Sequence, residues 1–199
     1  MFKTFKSIVF QIFENDIIGS SAKESGSLRE LIFPNEYKKG LPPQSFNIKI
    51  GNVLEKSVNC FVHDCLSISK VEVDKNDIKK EIGYSVQIDT IFEINGIVYY
   101  FEDKSNLNLD TEKSKVTFEK VNKILSYLRK RYKNVKGGIL SFRFSTSFDV
   151  FSVKEPLKSS GFLYGYSDFF NILNINVSKK DWEDFMMEIG EFYINETNC

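Results

Sequence analysis

The chain has one histidine, three cysteines and no net charge, and each scarcity removes a class of function. His63 falls opposite the apolar stripe of its segment, so it is expected to face solvent, and a lone histidine argues against histidine-based acid–base chemistry. Cys60, Cys65 and Cys199 lack zinc-ligand spacing, and their odd number argues against a disulfide framework. No apolar run approaches the roughly 20 residues that cross a bilayer. Gln11 and Glu14 interrupt the opening apolar stretch before it makes a signal sequence. Internal repeats and low-complexity tracts are missing as well. With 42% hydrophobic and 27% charged residues, one α/β domain over residues 1–199, in an intracellular, cytoplasmic setting with no membrane partner, is the expectation.

What is present centres on Gln87-Ile88-Asp89, Asn95-Gly96 and Glu102-Asp103-Lys104. Asn-Gly between two apolar runs is a strong hairpin signal, because both residues tolerate the positive φ of a type I′ turn. With Asn95 and Gly96 as the turn, Ile94 faces Ile97, Asp89 lies opposite Glu102, and Gln87 lies opposite Lys104. Side chains alternate with period two, so these four polar residues share one face. The other face carries Ile88, Thr90, Phe92, Ile94, Ile97, Tyr99 and Phe101 and reads as core. Opposed carboxylates with Cβ atoms about 4.5–5.5 Å apart repel each other. A hard divalent cation would turn that repulsion into binding. The competing expectation is an exposed hairpin face on which Lys104 neutralises Glu102 and Asp89.

Along the chain, residues 2–15 suit a short helix or strand, and 20–50 read mostly as loop, with Pro34, Pro42 and Pro43. From about Gly51 to Leu66, Leu54, Val58, Phe61, Val62 and Cys65 fall on one stripe at helical spacing. Residues 71–81 are highly charged and read as a turn or exposed segment. Asp110 suits the N-cap of a helix striped by Val121, Ile124, Leu125, Leu128 and Tyr132. Gly137-Gly138 would end it, and Ile139 to Phe144 reads as a strand that places Arg143 opposite Phe142 and Phe144. Asp181 to Glu191 reads as a last helix. Charge is uneven along this order. Residues 104–136 hold ten Lys and Arg against three acids, a net +7, while 146–199 hold four bases and nine acids, a net −5. A basic band beside the carboxylates would attract a polyanion.

An aspartate, a hairpin and then Glu-x-Lys is the signature of the PD-(D/E)XK nucleases, and residues 50–145 resemble that superfamily through Asp89, Glu102 and Lys104. Ile88 replaces the proline of the motif name. Asp103 stands where the family usually has an apolar residue, on the core-facing side, and so requires a partner. The resemblance implies an α/β (α+β) fold, a central mixed β-sheet flanked by helices with a restriction-endonuclease-like core. It implies Mg²⁺, with Mn²⁺ able to substitute, held by Asp89, Glu102 and the carbonyl of Asp103. Lys104 would orient or help deprotonate the attacking water. Many members carry a glutamate on the first core helix that reaches the metal, a place Glu55 matches.

A chain built around one such core resembles a Type II restriction endonuclease, which implies double-stranded DNA as substrate and a homodimer on a palindromic site. Gly161 to Phe170 is loosely similar to a late segment of several such enzymes. Gln87, Ser105, Asn106, Lys113 and Arg143 are the candidate DNA contacts. The alternatives are a structure-specific nuclease of resolvase or repair type, and a DNA-binding module of the same fold without activity. The lone histidine argues against an HNH-type site.

Overall fold

The computed structural model describes residues 1–17, 44–104, 111–146 and 155–197. In the first element Phe5, Ile8, Val9 and Phe13 recur at helical spacing, and that period decides between helix and strand. It is a helix, α1 (Phe2–Ile17), with these side chains and Ile17 buried. Helix α2 (Gln44–Asn59) begins before the stripe read from Gly51, inside the stretch expected to be loop. It runs straight into a π-helical turn, Cys60–Cys65, in which the Leu66 amide bonds the Phe61 carbonyl at 2.9 Å. The wider turn shifts the phase of the stripe. Val58, Phe61 and Val62 stay buried, while Cys65 is exposed instead of continuing the apolar line. His63 does not face solvent freely: it is half-buried, with Nδ1 3.0 Å from the Ile68 carbonyl.

The charged segment 71–81 is largely exposed, as expected, but it is not a turn. Residues Lys75–Ile82 form α3, capped by the Asp74 carboxylate, which accepts the amides of Asn76 at 2.7 Å and Asp77 at 3.3 Å. Gly83 closes it in the left-handed region at φ 89°. Ile78 and Ile82 are its apolar stripe, too sparse among the charges to announce a helix by composition.

Strands β1 (Thr90–Ile94) and β2 (Ile97–Asp103) form the expected hairpin, with Asn95 at φ 53° and Gly96 at φ 72° in the turn. The register runs from Ile94↔Ile97 to Thr90↔Phe101, as the turn demands. Helix α4 (Thr111–Arg129) then crosses over to β3 (Val135–Ser141), which pairs parallel with β2. Strand β4 (Leu163–Gly165) pairs parallel with β3 and leads into α5 (Tyr166–Ile172), and α6 (Lys179–Thr197) follows. The earlier segment Gly161 to Phe170 thus supplies β4 and most of α5. Among the described residues the sheet is mixed and four-stranded, in the order β1-β2-β3-β4, with one isolated bridge, Lys70↔Phe92, on the outer edge of β1.

Helices cover both faces of this sheet, so neither hairpin face is a solvent face. Phe92, Tyr99, Phe101 and Leu140 point into a layer with α1, α2, α5 and α6, where Phe5, Phe170, Trp182 and Phe185 meet mostly edge to face. Ile91, Val98, Tyr100 and Ile139 point the other way, under α3 and α4, against Ile78, Val121, Ile124, Leu125 and Leu128. Parallel strands connected by a crossover helix are normally covered on both faces, which is the case here. Tyr132 lies beyond the end of α4 but still packs on this second layer.

Gly137 and Gly138 do not end a helix. They lie inside β3, which ends at Ser141, so the strand sits earlier than Ile139–Phe144. Phe142 and Phe144 consequently leave the strand and pack into opposite layers, not onto one face. The glycines are there for close approach. Gly137 has φ 139°, and a Cβ on it would fall 1.8 Å from the Tyr100 carbonyl oxygen; one on Gly138 would fall 2.0 Å from that of Phe162. Gly137→Ala is therefore expected to cost at least about 2 kcal/mol or to prevent folding. An unchanged midpoint in chemical denaturation would show that β2 and β3 are less closely apposed than described.

Candidate functional site

At the carboxyl end of β2 and the entrance to β1, a cleft of about 480 Å³ opens between the sheet and the middle of α2. Ligands in α/β sheets commonly bind outside the carboxyl ends of parallel strands. Glu55 lines the cleft from α2, Gln87 and Asp89 from the segment entering β1, and Glu102, Asp103 and Lys104 from β2 and its exit. Lys120 lines it from α4. The four hairpin residues thus come together, with Glu55 across from them. β1 itself starts at Thr90, so Asp89 and Gln87 sit just before the ladder rather than within it.

Glu102 is the centre of charge. It is only 3% exposed, and both carboxylate oxygens are taken: Lys104 Nζ lies 2.7 Å from Oε1 and Lys120 Nζ 2.6 Å from Oε2. The Tyr100 hydroxyl donates to Oε2 at 3.1 Å. Burial by itself would raise the Glu102 carboxyl, but the two ammonium groups outweigh it and hold it below the ordinary value. The same pairing raises Lys104 against the opposing effect of its own burial. Asp89 is placed differently. Burial, and then the negative charge of Glu102, push it up to about 6. Its Oδ2 accepts the Asp103 amide at 3.1 Å.

Asp103 points to the other face, as its position in the strand requires, and its partner there is Thr90, whose hydroxyl donates to Oδ2 at 2.8 Å. Among the described residues Oδ1 is buried without a hydrogen-bond partner. Burial raises this carboxyl well above the ordinary value. Asn59, at the end of α2, ties the strand entrance to the helix: its Nδ2 donates to the carbonyls of Asp89 at 3.0 Å and Glu55 at 3.1 Å. Glu55 and Asp89 are thereby held to one scaffold.

Lys120 and Asn59 were not among the sequence candidates. Lys120 flanks the α4 stripe beside Val121, a position that marks it as half-buried, but nothing local says which sheet face that stripe covers. Among the DNA-contact candidates, Gln87 is exposed at the rim of the cleft. Lys113 is exposed on the first turns of α4, and Arg143 is half-buried with its guanidinium 6.0 Å from the Phe144 ring; neither lines the cleft. Ser105 and Asn106, like Asp110, lie outside the described residues.

The basic band does not lie wholly beside the carboxylates. Lys104 and Lys120 do, but Lys130 and Arg131 pair with Glu81. Arg129, Lys133 and Lys136 line a separate surface cleft with Ile97, beside the hairpin turn. A helix of this length carries its charges from one end of the sheet to the other, which sequence proximity conceals.

Oxygen donors dominate the site, yet no group of three His, Cys, Asp or Glu among the described residues is already gathered to hold a metal ion. Among the described residues no helix is long and apolar enough to cross a membrane. No protein-family model and no curated protein matches this chain.

The raised Asp89 carboxyl has a consequence for stability. Its folded value of about 6 lies above the ordinary 3.8, so its contribution is full below the lower value and is lost as pH rises through about 6. Without added metal, Asp89→Asn is expected to be more stable than wild type at pH 7.5 by roughly 1–3 kcal/mol, with the difference vanishing below about pH 4. Thermal melts across that pH range check it, and a variant less stable at pH 7.5 would contradict the raised carboxyl.

Proposed function

We propose that this protein is a metal-dependent DNA endonuclease of the PD-(D/E)XK type with a restriction-endonuclease-like core, most simply a Type II restriction enzyme acting on double-stranded DNA as a homodimer. The observation that carries this reading is the convergence of Asp89, Glu102, Lys104 and Glu55 on one cleft at the carboxyl end of a parallel strand. The mixed sheet flanked by helices is compatible with it.

The donor set suits a hard cation. Mg²⁺ takes oxygen ligands, commonly one or two carboxylates plus waters and substrate phosphate. Asp89 is not held at an ordinary carboxylate value by the lysines of the cleft, so it has capacity for a further positive charge. Asp89, Glu102 and the main chain of Asp103 would hold the ion, with Mn²⁺ able to replace Mg²⁺ and Glu55 available from across the cleft. When bound, the cation lowers the pKa of water and offsets charge on the scissile phosphate.

The remaining steps belong to the protein's own side chains. Hydrolysis adds a water oxygen to phosphorus, breaks one P–O ester bond and delivers a proton to the leaving oxygen. Lys104 Nζ, about one-third exposed and already charged, would hold the attacking water by its oxygen and face the negative charge that grows on phosphate. Asn59 would keep the Asp89 backbone fixed while this happens. Gln87, at the rim, is placed to meet DNA.

One observation favours a different reading. Both Glu102 oxygens are already paired with lysines, and Oε2 with a tyrosine as well, so the carboxylate is neutralised without a cation, which suits a DNA-binding module without activity. Digestion of a long defined DNA separates the two. With Mg²⁺, discrete fragments are expected, lost in EDTA and with Glu102→Ala, and Lys104→Ala is expected to slow cleavage by about 10²–10⁴-fold. A smear would assign a nonspecific or structure-specific nuclease, and no cleavage with Mg²⁺ or Mn²⁺ would leave the binding module.

A further inference from the structure

The hairpin signature requires one lysine, and the cleft holds two. Lys104 and Lys120 reach Glu102 from different elements and take different oxygens, Oε1 and Oε2. Glu102 carries a single charge, so one ammonium suffices to neutralise it. The second positive charge faces Asp89, on which Lys120 acts more strongly than Lys104. A structural ion pair gains little from a second desolvated ammonium, since each burial of charge has its own cost. Lys120 nevertheless keeps its head in the cleft, with only about one-fifth of its side chain exposed.

We infer that Lys120 is a substrate-positioning cation: it occupies Glu102 until a divalent ion takes the carboxylate, and then turns to a non-bridging oxygen of the DNA phosphate. This rests on the nuclease function proposed above. A dication shared by Asp89 and Glu102 would leave Lys120 without its counter-charge, inside a cleft whose next available anion is the incoming phosphate. The lysine stem is carried by α4 beside the buried Val121, so its root stays fixed while four rotatable methylenes let the head move. Lys104, by contrast, is tied at the end of β2, where its amide donates to the Leu140 carbonyl at 2.9 Å. The two cations would bracket a phosphate from the sheet and from the helix.

The inference makes two effects of one substitution run in opposite directions. Lys120→Met keeps the stem and removes the charge, so Glu102 loses a competitor. Titration of the full-length protein with Mn²⁺, without DNA, is expected to show cation binding about tenfold tighter in Lys120→Met than in wild type. Single-turnover cleavage at saturating Mg²⁺ is expected to be slower by on the order of a hundredfold. The slope of DNA affinity against salt should fall by about one phosphate contact. Lys120→Arg is expected to restore the weaker cation binding and the salt slope. A folded Lys120→Met protein with unchanged or weaker Mn²⁺ affinity would overturn the inference. Wild-type cleavage matched by Lys120→Met would also overturn it, and it alone. No cleavage by wild type would overturn the nuclease function and the phosphate role of Lys120 together.

Discussion

A buried carboxylate between two ammonium groups is the interaction on which the rest of this site depends. Taking Glu102 out of water is costly, and unpaired it would either be protonated or open the fold around it. Lys104 and Lys120 make its ionised form the stable one, and Tyr100 completes its hydrogen bonding. The network joins β2, the exit from β2 and α4. A crossover helix that packed one turn out of phase would leave that charge without its second partner. Hydrophobic packing of α4 on the sheet and ionic pairing in the cleft therefore specify the same arrangement, which is how a local choice and a global fold reinforce each other.

The position of the cleft follows from strand direction. β2 and β3 are parallel, and β1 runs against them, so the start of β1 and the end of β2 meet at one end of the sheet. That brings Asp89 and Glu102 side by side although they are thirteen positions apart. The period-two alternation then divides labour between faces. Glu102 turns under α4, and Asp103 turns toward Thr90 on the α2 side. Asn59 links that side to the Asp89 backbone, so helices on both faces hold the two carboxylates in place.

Legibility in the sequence was uneven, and the reasons are physical. The Asn95-Gly96 hairpin was plain because turn chemistry is local and its register has only one solution that buries Phe92, Tyr99 and Phe101 together. The α4 stripe was plain because five turns of helix average out noise. The glycines at 137 and 138 suggest a helix end, since a glycine pair signals a break in the absence of another strand's backbone lying against it. The helix within 71–81 is hard to see in the sequence because Ile78 and Ile82 alone anchor it, and its caps, Asp74 and Gly83, are weak signals amid so much charge. Cys65 was placed on the apolar stripe because a π-turn leaves no sequence signature that shifts the count.

By itself the sequence determined that Glu102 lies on one face of β2 and Asp103 on the other, because pleat and turn geometry act between near neighbours. It also determined which stripe of α4 is buried. Only the tertiary structure decided that the polar face of the hairpin would be covered, that Lys120 would be the residue to meet Glu102, and that Glu55 would stand across the cleft. Those relations depend on how helices dock on the two faces of the sheet, a choice set by long-range packing between segments that carry no local record of one another. The same docking sends Arg129, Lys133 and Lys136 away from the site to which the linear charge pattern had assigned them.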